Sequence, residues 1–206
     1  VIGLGVGRAR PVVTYTTATA ASVDVTAANV LLQNIVLKPI GVDAVTAAVN
    51  VSAADFVMDG CELELADATN QAVLGVLTAS GANRMVIKNC YFHGTTDAGT
   101  AAAVRIAAGS DIYLANNTFY GAYTTSLGAI DNSAAVVNLQ VHGCKITNAT
   151  ASGTKAMVWH ASTTGMWSDL RMGILSGTAP ITAAAGTNGG GSYYSAAAGV
   201  TAATLI

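Results

Sequence analysis

Six nine-residue stretches of this chain align on one another, and this repeat restricts the fold more tightly than anything else in the sequence. They are residues 29–37, 55–63, 84–92, 111–119, 138–146 and 164–172. The sixth residue of each serves as a register mark: Asn34, Gly60, Asn89, Asn116, Gly143 and Asp169, with successive separations of 26, 29, 27, 27 and 26 residues. So regular a period implies stacked units, each burying its apolar side only against its neighbours.

Within each unit the second and fourth residues are apolar in nearly every copy: Val30/Leu32, Phe56/Met58, Met85/Ile87, Ile112/Leu114, Leu139/Val141 and Gly165/Trp167. A period of two is that of a strand with one buried face. The mark residue is Asn, Gly or Asp, types that accept the left-handed conformation of a sharp corner. Beyond it the alternation resumes, with Ile35/Leu37, Cys61/Leu63, Cys90/Phe92, Asn117/Phe119, Cys144/Ile146 and Leu170/Met172 facing inward. A further short strand precedes most units, as at Val23/Val25, Val49/Val51, Val104/Ile106 and Met157/Trp159. Strand, corner, strand and turn, recurring after about 27 residues, describe one coil of a parallel β-helix. Six coils at about 4.8 Å each give a rod on the order of 30 Å long. An antiparallel β-sandwich also needs many short strands, but its strands need not place the same corner at the same offset.

Composition agrees with this geometry and excludes several classes. Apolar residues are 52% and charged residues 10% of the chain, against about 25% charged in an average domain, which is not the make-up of a disordered chain. Every apolar run is interrupted before it reaches bilayer-spanning length. The apolar stretch Val1 to Gly7 is too short for a signal peptide and has no basic stretch before it. The first residue is not Met, which points to a processed product or to part of something longer. A formal charge of −2 without a basic cluster gives no reason to expect nucleic acid.

The segments Asn89-Cys90-Tyr91-Phe92 and Asn116-Asn117-Thr118-Phe119 resemble the repeat of the right-handed parallel β-helix (pectin-lyase-like) superfamily, often apolar-x-apolar-x-(Asn/Gly)-(Cys/Asn)-x-(Phe/Ile). The opening Gly3-Leu4-Gly5-Val6-Gly7-Arg8-Ala9-Arg10-Pro11 is similar to the Gly-rich lead-in of many bacteriophage β-helix proteins. The resemblance implies an all-β right-handed solenoid of six to seven coils. It does not imply an activity, since one scaffold hosts lyases, hydrolases, tail spikes and inert virion parts. The chain divides accordingly into a lead-in or cap (1–22), the β-helix (23–175) and a C-terminal cap or assembly arm (176–206). The arm is Ala/Gly/Thr/Ser-rich, with a flexible joint expected at Gly189-Gly190-Gly191.

No catalytic, cofactor-binding or metal-binding residue is assigned from the sequence. Cys61, Cys90 and Cys144 share one inward repeat position and read as buried small hydrophobes; a Cys61–Cys90 bridge is within geometric reach of adjacent coils. No His shares their row, as a metal site would need. Asp55 and Asp111 share a repeat position two coils apart, with Arg84 in the coil between. Asp59, Glu62 and Glu64 cluster in sequence, and Glu62 and Glu64 alternate outward. Asp43, Asp67 and Asp97 lie in turn-like segments. His93, His142 and His160 occupy different repeat positions, and spacing alone gives no Ser–His–Asp arrangement. Gly3, Gly5 and Gly7 are followed by Arg8, Ala9, Arg10 and Pro11 instead of a phosphate-binding helix, so they read as a flexible lead-in or cap. Tyr91 and Tyr113 point outward, while Tyr120 and Tyr123 are placed in a loop after Phe119, available for glycans or a subunit contact.

The expectation is therefore a structural component of a bacteriophage particle, a capsid decoration or tail-associated protein located on the virion. It would contact other virion proteins and copies of itself as a homotrimer, with surface glycans as further ligands and neither nucleic acid nor membrane. The alternatives are a polysaccharide-binding or -cleaving tail-spike-like β-helix and a secreted or cell-surface adhesin.

Overall fold

The computed structural model describes residues 1–94, 99–123, 127–150 and 155–175, with the short strands Ile181–Thr182, Thr187–Asn188, Tyr193–Ala196 and Thr204–Leu205. The architecture is a right-handed β-helix: three parallel sheets wrap a common core, and strands one coil apart in sequence lie side by side. The first sheet runs Val23–Val25, Val49–Val51, Leu74–Thr78, Ala102–Ile106, Ile130–Asn132, Met157–Val158 and Ile181–Thr182. The second runs Leu31–Gln33, Val57–Asp59, Val86–Lys88, Ser110–Ala115, Val137–His142, Gly165–Ser168 and Thr187–Asn188. The third begins at Val12–Thr14 and passes through Val36–Lys38, Glu62–Glu64, Tyr91–His93, Thr118–Tyr123, Lys145–Asn148 and Arg171–Ile174 to Tyr193–Ala196.

The corner marks are left-handed in all six units: Asn34, Gly60, Asn89, Asn116, Gly143 and Asp169 have φ between 53° and 63°. A second left-handed row, unforeseen from the sequence, opens the second-sheet strands: Asn29, Asp55, Arg84, Asp111 and Asn138, with φ between 55° and 61°. The sixth coil turns at Gly165 instead, at φ 142°. A β-carbon there would run into the Leu139 carbonyl one coil below, which explains why an inward, otherwise apolar position carries no side chain.

Inward residues stack on their equivalents in the next coil. In the third sheet Leu37, Leu63, Phe92, Phe119, Ile146 and Met172 form one buried column, within which Phe92 and Phe119 are stacked with centroids 4.9 Å apart. The neighbouring column is Ile35, Cys61, Cys90, Asn117, Cys144 and Leu170. Asn117 stands in this apolar row without an unpaired group, because its Oδ1 accepts from the Cys90 amide at 2.9 Å and its Nδ2 donates to the Ile87 carbonyl at 2.9 Å. A buried amide that bonds the coil below costs far less than one left unpaired.

The lead-in is packed onto the first coil. Ile2 bridges Gln33 in parallel fashion, and the Asn34 side chain donates to the carbonyls of Gly3 and Gly5, both at 2.7 Å. A β-carbon on Gly3 would collide with the Asn34 carbonyl. Gly3 and Gly5 therefore serve close backbone approach, as a cap on the first coil would require, and a 3-10 turn at Gly7–Ala9 follows them. At the far end, the sequence repeat fades after Met172, yet strands at Ile181, Thr187 and Tyr193 continue the three sheets in parallel register. The third sheet then ends on an antiparallel strand, Thr204–Leu205. The triple-glycine joint and Asp97 lie outside the described residues.

Candidate functional site

Strands with one face in the core put every second side chain on the outside, and stacking turns those positions into axial rows. The outer face of the third sheet carries the densest chemistry. One row reads Val12, Val36, Glu62, Tyr91, Thr118, Lys145 and Arg171; its neighbour reads Thr14, Lys38, Glu64, His93, Tyr120, Thr147 and Gly173. Glu62 pairs with the Arg10 guanidinium and accepts from or donates to His93 Nε2 at 3.0 Å according to the imidazole tautomer and carboxyl protonation. Glu64 pairs with Lys38 Nζ at 2.5 Å. Tyr91 stacks on His93 with ring centroids 4.6 Å apart and planes 17° from parallel. Partial burial and the neighbouring Glu62 and Tyr120 push the Tyr91 phenol up, so it stays neutral through the physiological range. Beside them a groove of about 400 Å³ is lined by Gly7, Arg10, Val12, Val36, Lys38 and Glu62.

Two of the tyrosines depart from their expected places. Tyr120 and Tyr123 are not in a loop: both belong to the strand Thr118–Tyr123. The alternation continues past Phe119, so Tyr120 projects outward, 38% exposed, and Tyr123 turns into the core, 1% exposed. The Gly121-Ala122 pair looks like a turn in sequence. It is held extended by Gly99–Thr100 on one side and Lys145–Asn148 on the other.

The remaining described acidic candidates each meet a hydrogen-bonding or cationic partner. Asp55 and Asp111 occupy the left-handed corner row, where short polar side chains are favoured. Arg84 bonds Asp55 through both Nε, at 2.7 Å, and an Nη, at 2.8 Å, which holds the Asp55 carboxyl below its ordinary range. Asn138 donates to Asp111 at 2.9 Å. Asp59 accepts from Asn89 at 2.8 Å and faces Lys88 at 3.5 Å. Asp67 caps the amides of Thr69 and Asn70, which lowers its carboxyl, and Asp43 accepts the Gln71 amide at 3.2 Å.

The cysteines are free, buried thiols. Cys61 and Cys90 contact each other across adjacent coils: the hydrogen bond from Cys90 holds the Cys61 thiol below its ordinary value and leaves Cys90 above its own. Burial pushes Cys144 up to about 11. Among the described residues no cluster of three or more His, Cys, Asp or Glu side chains is placed to hold a metal ion.

His142 meets both Ser168, at 2.7 Å, and Asp169, at 3.3 Å, yet both contacts fall on Nδ1. A proton relay from serine to carboxylate needs the two ring nitrogens separately, so this grouping does not form one. His160 Nδ1 accepts the Ser162 amide in a turn. Sequence reasoning overlooked Asp131, in the outer row of the first sheet. It is 1% exposed, and burial raises its carboxyl despite Arg105. Arg105 Nε lies 3.2 Å from Asp131 Oδ2, but its N–H is directed at Ser133 and leaves that oxygen without a hydrogen bond among the described residues. Its neighbours Ile130 and Asn132 carry the inward alternation, and nothing at Asp131 itself signals that its outer position is covered.

Residues 21–165, well over half of the chain, match the family model for right-handed β-helix regions, and the chain belongs to that family. No curated protein and no solved structure matches it.

Proposed function

We propose that this chain is a non-catalytic structural component of a bacteriophage particle, a β-helical scaffold and adhesion surface that packs against other virion proteins and against copies of itself in a trimer. The observation that carries the non-catalytic part is the use made of outward carboxylates. Asp55, Asp59, Glu62 and Glu64 are each tied to a cation on a neighbouring segment. Glycoside cleavage needs a carboxyl pair flanking the substrate, one of which gives up or takes a proton. Carboxylates already engaged in ion pairs from coil to coil are poorly placed for that proton transfer.

The assembly part is supported by the apolar lead-in, where Val1, Ile2, Leu4, Val6 and Val12 are 51–89% exposed; contiguous apolar surface of this kind suits burial against another chain. The phage setting is supported by the resemblance of the residues from Gly3 to Pro11 to phage lead-ins. A second reading, cleavage of a polysaccharide, is favoured by the Glu62–His93 contact beside exposed Tyr91.

The test is a depolymerase screen on uronate-containing and neutral bacterial polysaccharides, with calcium and with chelator, following new reducing ends and unsaturated products. The expected result is no turnover. Turnover abolished by Glu62→Gln would overturn the scaffold reading in favour of the second.

A further inference from the structure

The outer row of the first sheet reads Asp24, Asn50, Leu77, Arg105 and Asp131, each in register with the next. Its two ends differ in charge. Arg105 and Asp131 face each other at 3.2 Å. Asp24, at the opposite end, is exposed; its carboxylate accepts from Ser22 Oγ at 2.5 Å, and no cation lies within ion-pair distance of it among the described residues. One coil along, Asn50 Oδ1 is buried and has no hydrogen-bond partner. Asp24 and Asn50 line a groove of about 290 Å³ together with Ser22, Thr46, Ala47 and Leu77.

A carbonyl oxygen withdrawn from water without a donor is costly, and a donor brought to it recovers the loss. The carboxylate beside it selects a donor that is also a cation. The two acceptors stand on adjacent coils about 4.8 Å apart. A planar guanidinium, with donors spread over a rigid fork, spans that gap better than the compact charge of an ammonium. The groove is apolar at Ala47 and at Leu77, which stacks on the side of Asn50 away from Asp24. Such a wall suits the methylene stem of a long cationic side chain. From Asp24 to Leu77 is two coil spacings, on the order of 10 Å, which one extended arginine side chain can cover. A metal ion would find a single carboxylate here, and among the described residues no cluster of three or more His, Cys, Asp or Glu is placed to hold one.

We propose that this groove is a docking pocket for an arginine side chain presented by a partner protein, its guanidinium held by Asp24 and Asn50 and its stem laid on Ala47 and Leu77. The inference names the chemistry of a partner and does not depend on whether that partner belongs to a virion. It is also independent of the catalytic question, because the groove lies on a different sheet from Glu62 and His93.

The experiment is an NMR titration of the isotope-labelled whole chain with a capped alanine pentapeptide whose central residue is arginine, lysine or citrulline, the neutral isostere of arginine. Calcium chloride is titrated as a separate arm. The arginine peptide should shift the Asn50 side-chain amide and the Asp24 and Leu77 backbone signals along one saturable curve. Citrulline should bind about tenfold more weakly or less, a loss of 1.4 kcal/mol or more, and lysine should fall between the two. Asp24→Asn, at an exposed position, should weaken the arginine peptide by a similar factor, with unmoved signals elsewhere verifying the fold. The affinity should also fall as salt is raised. No saturable shift at these residues, equal binding of citrulline, or indifference to Asp24→Asn would overturn the proposal. So would calcium shifting the same signals at lower concentration than the peptide. Shifts at these residues on concentrating the protein alone would place another copy of the chain in the groove, and would overturn it too. None of these results bears on whether a polysaccharide is cleaved, so the scaffold reading is judged separately.

Discussion

The strand Tyr91–His93 has an inner and an outer side whose logic differs. Inside, Phe92 is fully buried between Leu63 and Phe119, like stacked on like. Outside, Tyr91 and His93 sit over Glu62 and Glu64, and the rows join unlike residues through charge and ring contacts. The inner row is selected for volume, because a packed column tolerates no void. The outer row is selected pair by pair, so it is free to carry recognition. Stability should therefore reside in the inner residue and specificity in the outer.

The sharpest way to break this contrast is to truncate both neighbours. Phe92→Ala removes a ring stacked on Phe119 and should cost about 3–5 kcal/mol in denaturant unfolding. Tyr91→Ala, one residue away, should stay within about 0.5 kcal/mol. Equal losses would show that the outer row also holds the stack.

Next in size are the corners that divide the two faces. Asn116 has φ 53° and an exposed side chain, so substitution there tests backbone conformation with little packing change. Asn116→Val should cost about 1–2 kcal/mol, while Asn116→Gly should cost clearly less, read from the same unfolding curves.

These positions also show what the sequence made legible. The inward alternation and the corner at Asn34, Gly60, Asn89, Asn116, Gly143 and Asp169 could be read directly, because burial and left-handed backbone each admit few residue types. The second corner row was missed. Its Asn29, Asp55, Asp111 and Asn138 carry the same Asn/Asp signature, but Arg84 does not, and the acids drew attention as chemistry. The grouping of Glu62 with Arg10, His93 and Tyr91 was half visible: the alternation put Glu62 and Tyr91 outside. The partner across a coil depends on register to the residue, and turn lengths between units vary by up to three. Tyr123, expected in a loop after Phe119, lies instead in a strand that pairing on both sides keeps extended.

Asp131 sharpens the contrast as an outer-row residue in a buried setting. Its carboxyl is raised by burial, with Arg105 opposing. A carboxyl raised in the folded state binds its proton more tightly there than when unfolded, so it contributes instability above the unfolded value of about 3.9, and this is relieved as pH falls. Asp131→Asn should therefore raise the melting temperature at neutral pH by about 2–4 °C, the shift for roughly 1 kcal/mol in a chain of this size. The gain should disappear below about pH 4. A gain independent of pH would mean that packing, not ionisation, sets the cost.

The smallest effect is expected where a charge pair lies wholly outside. Asp55 is held low by Arg84, so the sign is opposite to that of Asp131: the contribution is present above the unfolded value of about 3.9 and is lost as pH falls through the lowered folded value. Asp55→Asn keeps a residue type that accepts the left-handed corner and removes only the charge. Solvent and salt screen an exposed pair of this kind, even with its two-pronged geometry. The melting temperature should drop by less than the Asp131→Asn gain at neutral pH and low salt, with the difference closing both in acid and in high salt. A drop that persists in high salt would locate the stabilisation in the hydrogen-bond geometry of the Asp55–Arg84 pair, and the outer rows would then hold the coils together by directional bonds as well as by charge.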